Sequence, residues 1–244
     1  MRSKKLAILV VLGSLLLSSC ALMEGGSTSS TPMGAMSGQK QTVSPEILMK
    51  YTAGWPDDSV LAAKNLLSRY GQPTESTPSM LIWKEVTPFK RIIVYRDEIT
   101  HKFPMLHKDL VEHVVSYKVP IEKVEALSKF DGSIIVDRTR GELASRCGDE
   151  AMNILALNLA NDIATGRRDA RGARTEFGRL IVDLLNGNKG TLTENLQFVA
   201  QNNAADPDQS TKFNWAQAQE DQPKQDQEKK NSELLRQSQE EMAE

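Results

Sequence analysis

Three short runs rich in β-branched and aromatic residues, "SMLIWKEV", "RIIVYRDE" and "LVEHVVSYKV", follow one another between Ser79 and Val119. The third alternates: Val111, His113, Val115, Tyr117 and Val119 fall on one side of an extended chain, Glu112, Ser116 and Lys118 on the other with Val114. A period of two with one apolar side predicts a half-buried strand. "TPFK" between the first two runs predicts a hairpin, and "SIIVDRT" and "ELASRC" around Arg140-Gly141 predict a second.

Helical patterns are interleaved with these strands. In "PDDSVLAAKNLLSRYG", Asp57 or Asp58 is expected to cap, Val60, Leu61, Leu66 and Leu67 to form the apolar side, and Gly71 to end the helix. Pro120 opens a short helix with Ile121, Val124, Leu127 and Phe130 at three-residue steps. Two more span about Asp149 to Ala164 and Asp169 to Leu185, followed by Gly166 and Gly187. The expected fold class is α+β: a mostly antiparallel sheet of about five short strands with about four helices packed on one face. Aromatic residues make up only 5% of the chain, so its core must rest on Leu, Ile, Val, Ala and Met. No repeat of fixed period is present.

The ends differ from this body, expected over residues 44–196. Residues 197–244 are acidic and Gln-rich and read as a largely disordered tail, although the last fifteen could form a solvated helix. Residues 1–19 follow the secretory plan, with Arg2, Lys4 and Lys5 before an apolar stretch from Leu6 to Leu17. As a helix that stretch spans about 18 Å, well short of the roughly 30 Å hydrocarbon layer. Leu17-Ser18-Ser19-Cys20 then resembles the lipobox of bacterial lipoproteins. The resemblance implies cleavage between Ser19 and Cys20, and acyl chains on Cys20 that hold the protein to membrane lipid. By the same resemblance Ala21 after the cysteine implies the outer membrane, facing the periplasm. Residues 20–43, rich in Gly, Ser and Thr, read as a flexible tether with roughly 25 Å of mean reach.

The formal charge of −2 lacks the basic excess of a nucleic-acid binder, so no nucleic-acid partner is expected. No GxSxG, Walker loop, HExxH or strand-to-helix GxGxxG is present, and no catalytic residue, cofactor or metal ligand set is assigned. His101, His107 and His113 recur every six residues, which would align them on one face of a continuous strand, but Pro104 interrupts it. With Asp97, Glu98 and Asp109 they form the alternative reading, a lipid-anchored enzyme or a small-ligand or metal binder. His113, among apolar neighbours, is expected in the core. Cys147 shares a strand face with Leu143 and Ser145 and is expected as a buried thiol, without a disulfide partner if Cys20 is acylated. Arg168, Arg171 and Arg174 recur at three-residue steps as a candidate anion-binding stripe, against the simpler reading of a solvated helix surface. Asn153, Asn158, Asn161 and Asp162 punctuate an otherwise apolar helix; buried amides need partners, so some of these are expected to lock the helix to neighbouring loops, with ligand contact as the alternative.

"LLSRYGQPTESTPSMLIW" followed by "RIIVYRD" resembles part of the small outer-membrane assembly lipoproteins of the SmpA/OmlA (BamE) type, over residues 61–97. Those share a helix ending in a Gly-x-Pro turn, here Gly71-Gln72-Pro73, and then paired strands. The resemblance implies a non-catalytic envelope role and transfers no functional residues. The leading expectation is a membrane-anchored binding or scaffold domain that contacts an envelope protein or the cell wall.

Overall fold

The computed structural model describes residues 42–241 except residue 189. The expected leader, the expected acylation site at Cys20 and all but the last two residues of the expected tether lie outside the described residues. The body is α+β. It begins with α1 (Pro45–Thr52) and α2 (Asp57–Tyr70), followed by β1 (Glu75–Thr77), β2 (Met80–Val86), β3 (Phe89–His101) and β4 (His107–Ser116). A 3-10 turn (Ile121–Lys123) leads into α3 (Val124–Phe130), the β5–β6 hairpin (Ile134–Asp137, Glu142–Cys147), α4 (Glu150–Ala164), α5 (Ala170–Leu185), α6 (Thr191–Glu194) and α7 (Trp215–Glu241). Among the described residues no helix is long and apolar enough to cross a membrane.

The strands form one antiparallel sheet in the order β1-β2-β3-β4-β6-β5. Strand register lines up Trp83, Ile92, His113, Ser145 and Ile134 across the sheet, with Leu81, Val94, Val111 and Cys147 in a parallel row. All nine are buried, and the helices cover this face. The opposite face carries Arg91, Tyr95, Glu112, Glu142 and Arg146 around a shallow cavity of about 380 Å³. Its charges are matched internally. Arg91 forks onto Glu142 at 2.9 and 2.6 Å, and Arg146 reaches Glu112 at 2.7 Å.

Three details depart from the sequence expectation. A sixth strand, β1, has only three residues, all polar and exposed, so it carries no apolar signal. Helix α2 is capped by the backbone at Pro56 with no side-chain bond, and it buries Ser59, Ala62, Ala63, Leu66 and Leu67, leaving Leu61 exposed. Small residues let this helix lie close to the sheet, where the Ser59 hydroxyl donates to the Arg96 carbonyl. The tail, read as largely disordered, is helical from Trp215 to Glu241. That helix is mostly polar, apart from exposed Trp215, Leu234 and Leu235, and is held by pairs such as Arg236–Glu240 and Gln227–Asn231, the kind of local support such a helix needs.

Packing also continues past Leu196. Phe198 stacks edge-on against Tyr117, Gln201 N–H donates to Ser116 O, Asp206 N–H donates to Arg138 O, and Ala204 is buried. This strap crosses the β5–β6 turn at Gly141, where φ is +64° and an added Cβ would stand 2.2 Å from the Ala204 carbonyl carbon. Gly141→Val should therefore destabilise the protein by roughly 2 kcal/mol or more, through both strain and displacement of the strap. Gly132→Ala, which meets open space, should change stability by less than about 0.5 kcal/mol. Urea melts of the two variants check this.

Helix α4 is the centre of the body, buried on nearly every side. Its asparagines reach out to the surrounding elements, although Asn153 Oδ1 is buried without a hydrogen-bond partner. Asn153 Nδ2 donates to Val111 O, Asn158 holds Leu192 O, Asn195 O and Gln197 N, and Asn161 accepts from the Tyr117 hydroxyl. Together the bonds pin the helix to β4, to Tyr117 just past it, and to α6 with the residues that follow, and removing one would orphan buried polar groups.

Candidate functional site

The turn at residues 102–106, containing Pro104, folds β3 back onto β4. His101 and His107 are thereby paired directly across the hairpin, and Asp109 pairs with Ile99. Side chains two apart on a strand share a face, so His107, Asp109 and Val111 all point to the helix-covered side. Val111 pairs with Cys147 at the end of β6, which brings the thiol into the same corner. The loop between α3 and β5 adds Asp131 and Ser133.

The contacts are short. His107 Nε2 lies 3.0 Å from Asp109 Oδ1 and 3.2 Å from Cys147 Sγ. His101 Nδ1 lies 3.2 Å from Asp109 Oδ2, and its Nε2 lies 3.7 Å from Asp131 Oδ1. The Ser133 hydroxyl donates to Asp109 Oδ2, and the Ser133 N–H donates to Asp131. On its far side, His107 Nδ1 lies 2.9 Å from the Met105 carbonyl oxygen and donates to it. Donor atoms of His101, His107 and Asp109 all lie within 4.8 Å of one another.

Asp109 is 3% exposed, while the two imidazoles are partly open to solvent. Hydrogen bonds to Asp109 and then to Cys147 hold the His107 imidazolium well above its ordinary range, to about 11. Burial pushes the Asp109 carboxyl upward, but hydrogen bonds from His107 and Ser133 keep it below the usual value. Burial raises the Cys147 thiol despite the nearby His107, and burial also raises Asp131.

His101, His107 and Asp109 thus meet, as the alternative sequence reading required of them. Asp97 and Glu98 do not join. The register shifts between Val94 and Ile99, Asp97 pairs with Arg96 in solvent, and Glu98 lies beside Ser59. His113 stands apart in the core, fully buried with Asn153 Nδ2 3.0 Å from its Nδ1. Cys147 is buried as expected, but it belongs to the cluster. Asp131 and Ser133 were not expected there, because only tertiary folding brings their loop to the hairpin.

The arginine stripe is largely occupied within the fold. Arg168 pairs with Asp162 at 2.9 Å, and Arg174 donates to the Phe130 carbonyl and lies over the Phe103 ring at 3.7 Å. Arg171 is exposed.

A nucleophile–base–orienter relay uses opposite nitrogens of one imidazole, with the thiol or hydroxyl on one side and the carboxylate on the other. Here Cys147 and Asp109 meet the same nitrogen, and the other is held by a backbone carbonyl. Convergence on one point suits holding a ligand better than passing a proton along. Comparison with protein families, curated proteins and solved structures finds no match to this chain.

Proposed function

We propose that this chain is a bacterial lipoprotein, cut before Cys20 and held by acyl chains on that residue in the cell envelope, in the outer membrane facing the periplasm. Its α+β domain is a non-catalytic binding or scaffold unit, on a tether that sets it clear of the lipid headgroups and leaves it free to reach an envelope protein or the cell wall. The observation that carries the anchor is the order of basic start, short apolar stretch and Leu17-Ser18-Ser19-Cys20. The resemblance of residues 61–97 to the SmpA/OmlA (BamE) type adds support for a non-catalytic envelope role. So does the cluster, whose thiol is buried and whose imidazole is not placed for a relay.

The second reading, a small-ligand or metal binder built on the histidine stretch, is favoured by the meeting of His101, His107 and Asp109. It is compatible with the first, since a tethered binding domain needs a ligand. Affinity capture of the intact lipoprotein from mild detergent extracts tests the scaffold role. An envelope protein or a cell-wall fragment should co-purify in proportion to the bait. Recovery of the bait alone across several detergents would count against that role.

A further inference from the structure

We propose that His101, His107, Asp109 and Cys147 form a binding site for one divalent transition-metal ion of the zinc class. This names the ligand of the binding domain proposed above and rests on that reading. Three observations support it independently of one another.

The first is a buried carboxylate oxygen. Asp109 Oδ1 is shut off from solvent, and its one neighbouring donor is His107 Nε2, 3.0 Å away. Because His107 Nδ1 donates to Met105 O, Nε2 is the ring nitrogen that faces this oxygen and the one that can turn a lone pair to an ion. A cation between the two atoms satisfies both at once.

The second is spacing. Metal bonds of 2.0–2.3 Å at tetrahedral angles set neighbouring donor atoms about 3.3–3.7 Å apart. The donor atoms of His101, His107 and Asp109 all lie within 4.8 Å of one another, with His107 3.0 Å from one Asp109 oxygen and His101 3.2 Å from the other, and Cys147 Sγ stands 3.2 Å from His107 Nε2, so the side chains must shift to close on an ion. Two of the donors come from imidazoles that are partly exposed, which gives the ion a way in.

The third is the set of groups behind the donors. Metal-binding histidines usually donate their second N–H to a carbonyl or carboxylate, which fixes the ring. His107 donates to Met105 O, and His101 turns Nε2 toward Asp131 Oδ1 at 3.7 Å. Ser133 fixes the second oxygen of Asp109. Two imidazoles, one carboxylate and one thiolate suit zinc or cobalt far better than magnesium or calcium, which take all-oxygen sites. His101, His107 and Asp109 supply three grouped donors, and Cys147 beside His107 would add the fourth and close the coordination sphere, as in sites that hold an ion without catalysis.

The test uses the full-length protein in detergent, stripped with a chelator and titrated with Co²⁺ and then Zn²⁺. We expect one ion per chain, the intense visible absorption of tetrahedral Co²⁺, a thiolate-to-cobalt band in the near ultraviolet, and displacement by Zn²⁺ with a rise in Tm. His107→Ala and Asp109→Asn should each weaken binding by more than about 100-fold, beyond the 10- to 100-fold typical of groups that only orient ligands. His101→Gln, at a partly exposed position, is the variant least able to disturb folding, and it should also weaken binding. Cys147→Ser should abolish the near-ultraviolet band. Absence of stoichiometric binding by the wild type, absence of that band, or binding unchanged in the histidine and aspartate variants overturns the proposal. The same titration on the Cys20→Ala chain separates the two readings. Metal binding should persist there when membrane attachment is lost, and a failed titration on a protein that stays anchored refutes the metal site alone.

Discussion

Cys20→Ala should move the protein from the membrane to the soluble fraction almost completely. The expected size of the effect follows from acyl-chain partitioning. Each buried methylene contributes about 0.8 kcal/mol, so one chain gives only marginal binding and two or three hold almost irreversibly. The leader cannot substitute as a span, because its apolar stretch of about 18 Å is too short for the hydrocarbon layer. Among the described residues no helix is long and apolar enough to cross it, and α7 is mostly polar, with Leu234 and Leu235 exposed. Fractionation of cells expressing the wild type and the variant, with a high-salt wash to remove loosely bound protein, reads the outcome. Tight association of the variant after that wash would contradict the anchor assignment.

The second large effect is on acid stability. His113 is fully buried, with Asn153 Nδ2 at its Nδ1 and no hydrogen bond at Nε2, which lies 3.8 Å from Glu150. Burial, helped by the charge of Arg69, pushes its pKa down to about 3. An unfolded histidine titrates near 6.5. Above that pH both states are neutral and His113 gives no slope. As the pH falls toward 3 the unfolded chain takes up a proton that the folded chain refuses, so stability is lost on acidification. The slope from this one group approaches about 1.4 kcal/mol per pH unit.

Other groups act in the same range. Glu150, raised by burial, works in the opposite direction, and Glu142, held low by Arg91 and Lys90 despite burial, adds its loss only below the ordinary glutamate range. The informative quantity is therefore the difference in pH dependence between the wild type and His113→Gln, from urea melts between pH 4.5 and 7. The wild type should be the steeper of the two, and parallel curves would exclude the assignment.

Much of the body was legible before the structure, because the signals were local. The alternation in β4, the hairpin around Arg140-Gly141 and the ends of α4 and α5 at Asp149, Gly166, Asp169 and Gly187 each rest on a few neighbouring residues. So do the buried asparagines of α4, since amides inside an apolar helix demand partners. What escaped was set by packing. Leu61 looked like a core residue of α2, but the helix turns Ser59 and its two alanines to the sheet instead. Helix α7 has only a thin apolar stripe around Leu234 and Leu235, which signals a helix near its end but not its full length.

The cluster was half visible. The six-residue spacing of His101 and His107 drew notice, and Pro104 was read as an interruption of one strand. It lies instead in a hairpin turn, so the two rings are cross-strand neighbours 5.0 Å apart on one face of the sheet rather than residues spaced along a single strand. The face that Cys147 shares with Leu143 and Ser145 favours burial over a reactive thiol or an intermolecular disulfide, and its pairing with β4 is not visible in the sequence. Strand parity held the missing clue, since Val111 and Cys147 both sit on apolar faces and pair once β4 and β6 are neighbours. Asp131 and Ser133 left no comparable trace.

The claim beneath this account is that export and acylation at one sulfur determine where the domain works. Intact-mass measurement of the protein purified from its native membrane tests it most directly. The account predicts a polypeptide that begins at Cys20 and carries the added mass of a thioether-linked diacylglycerol. A chain that still begins at Met1, with the Cys20 thiol unmodified, would contradict it.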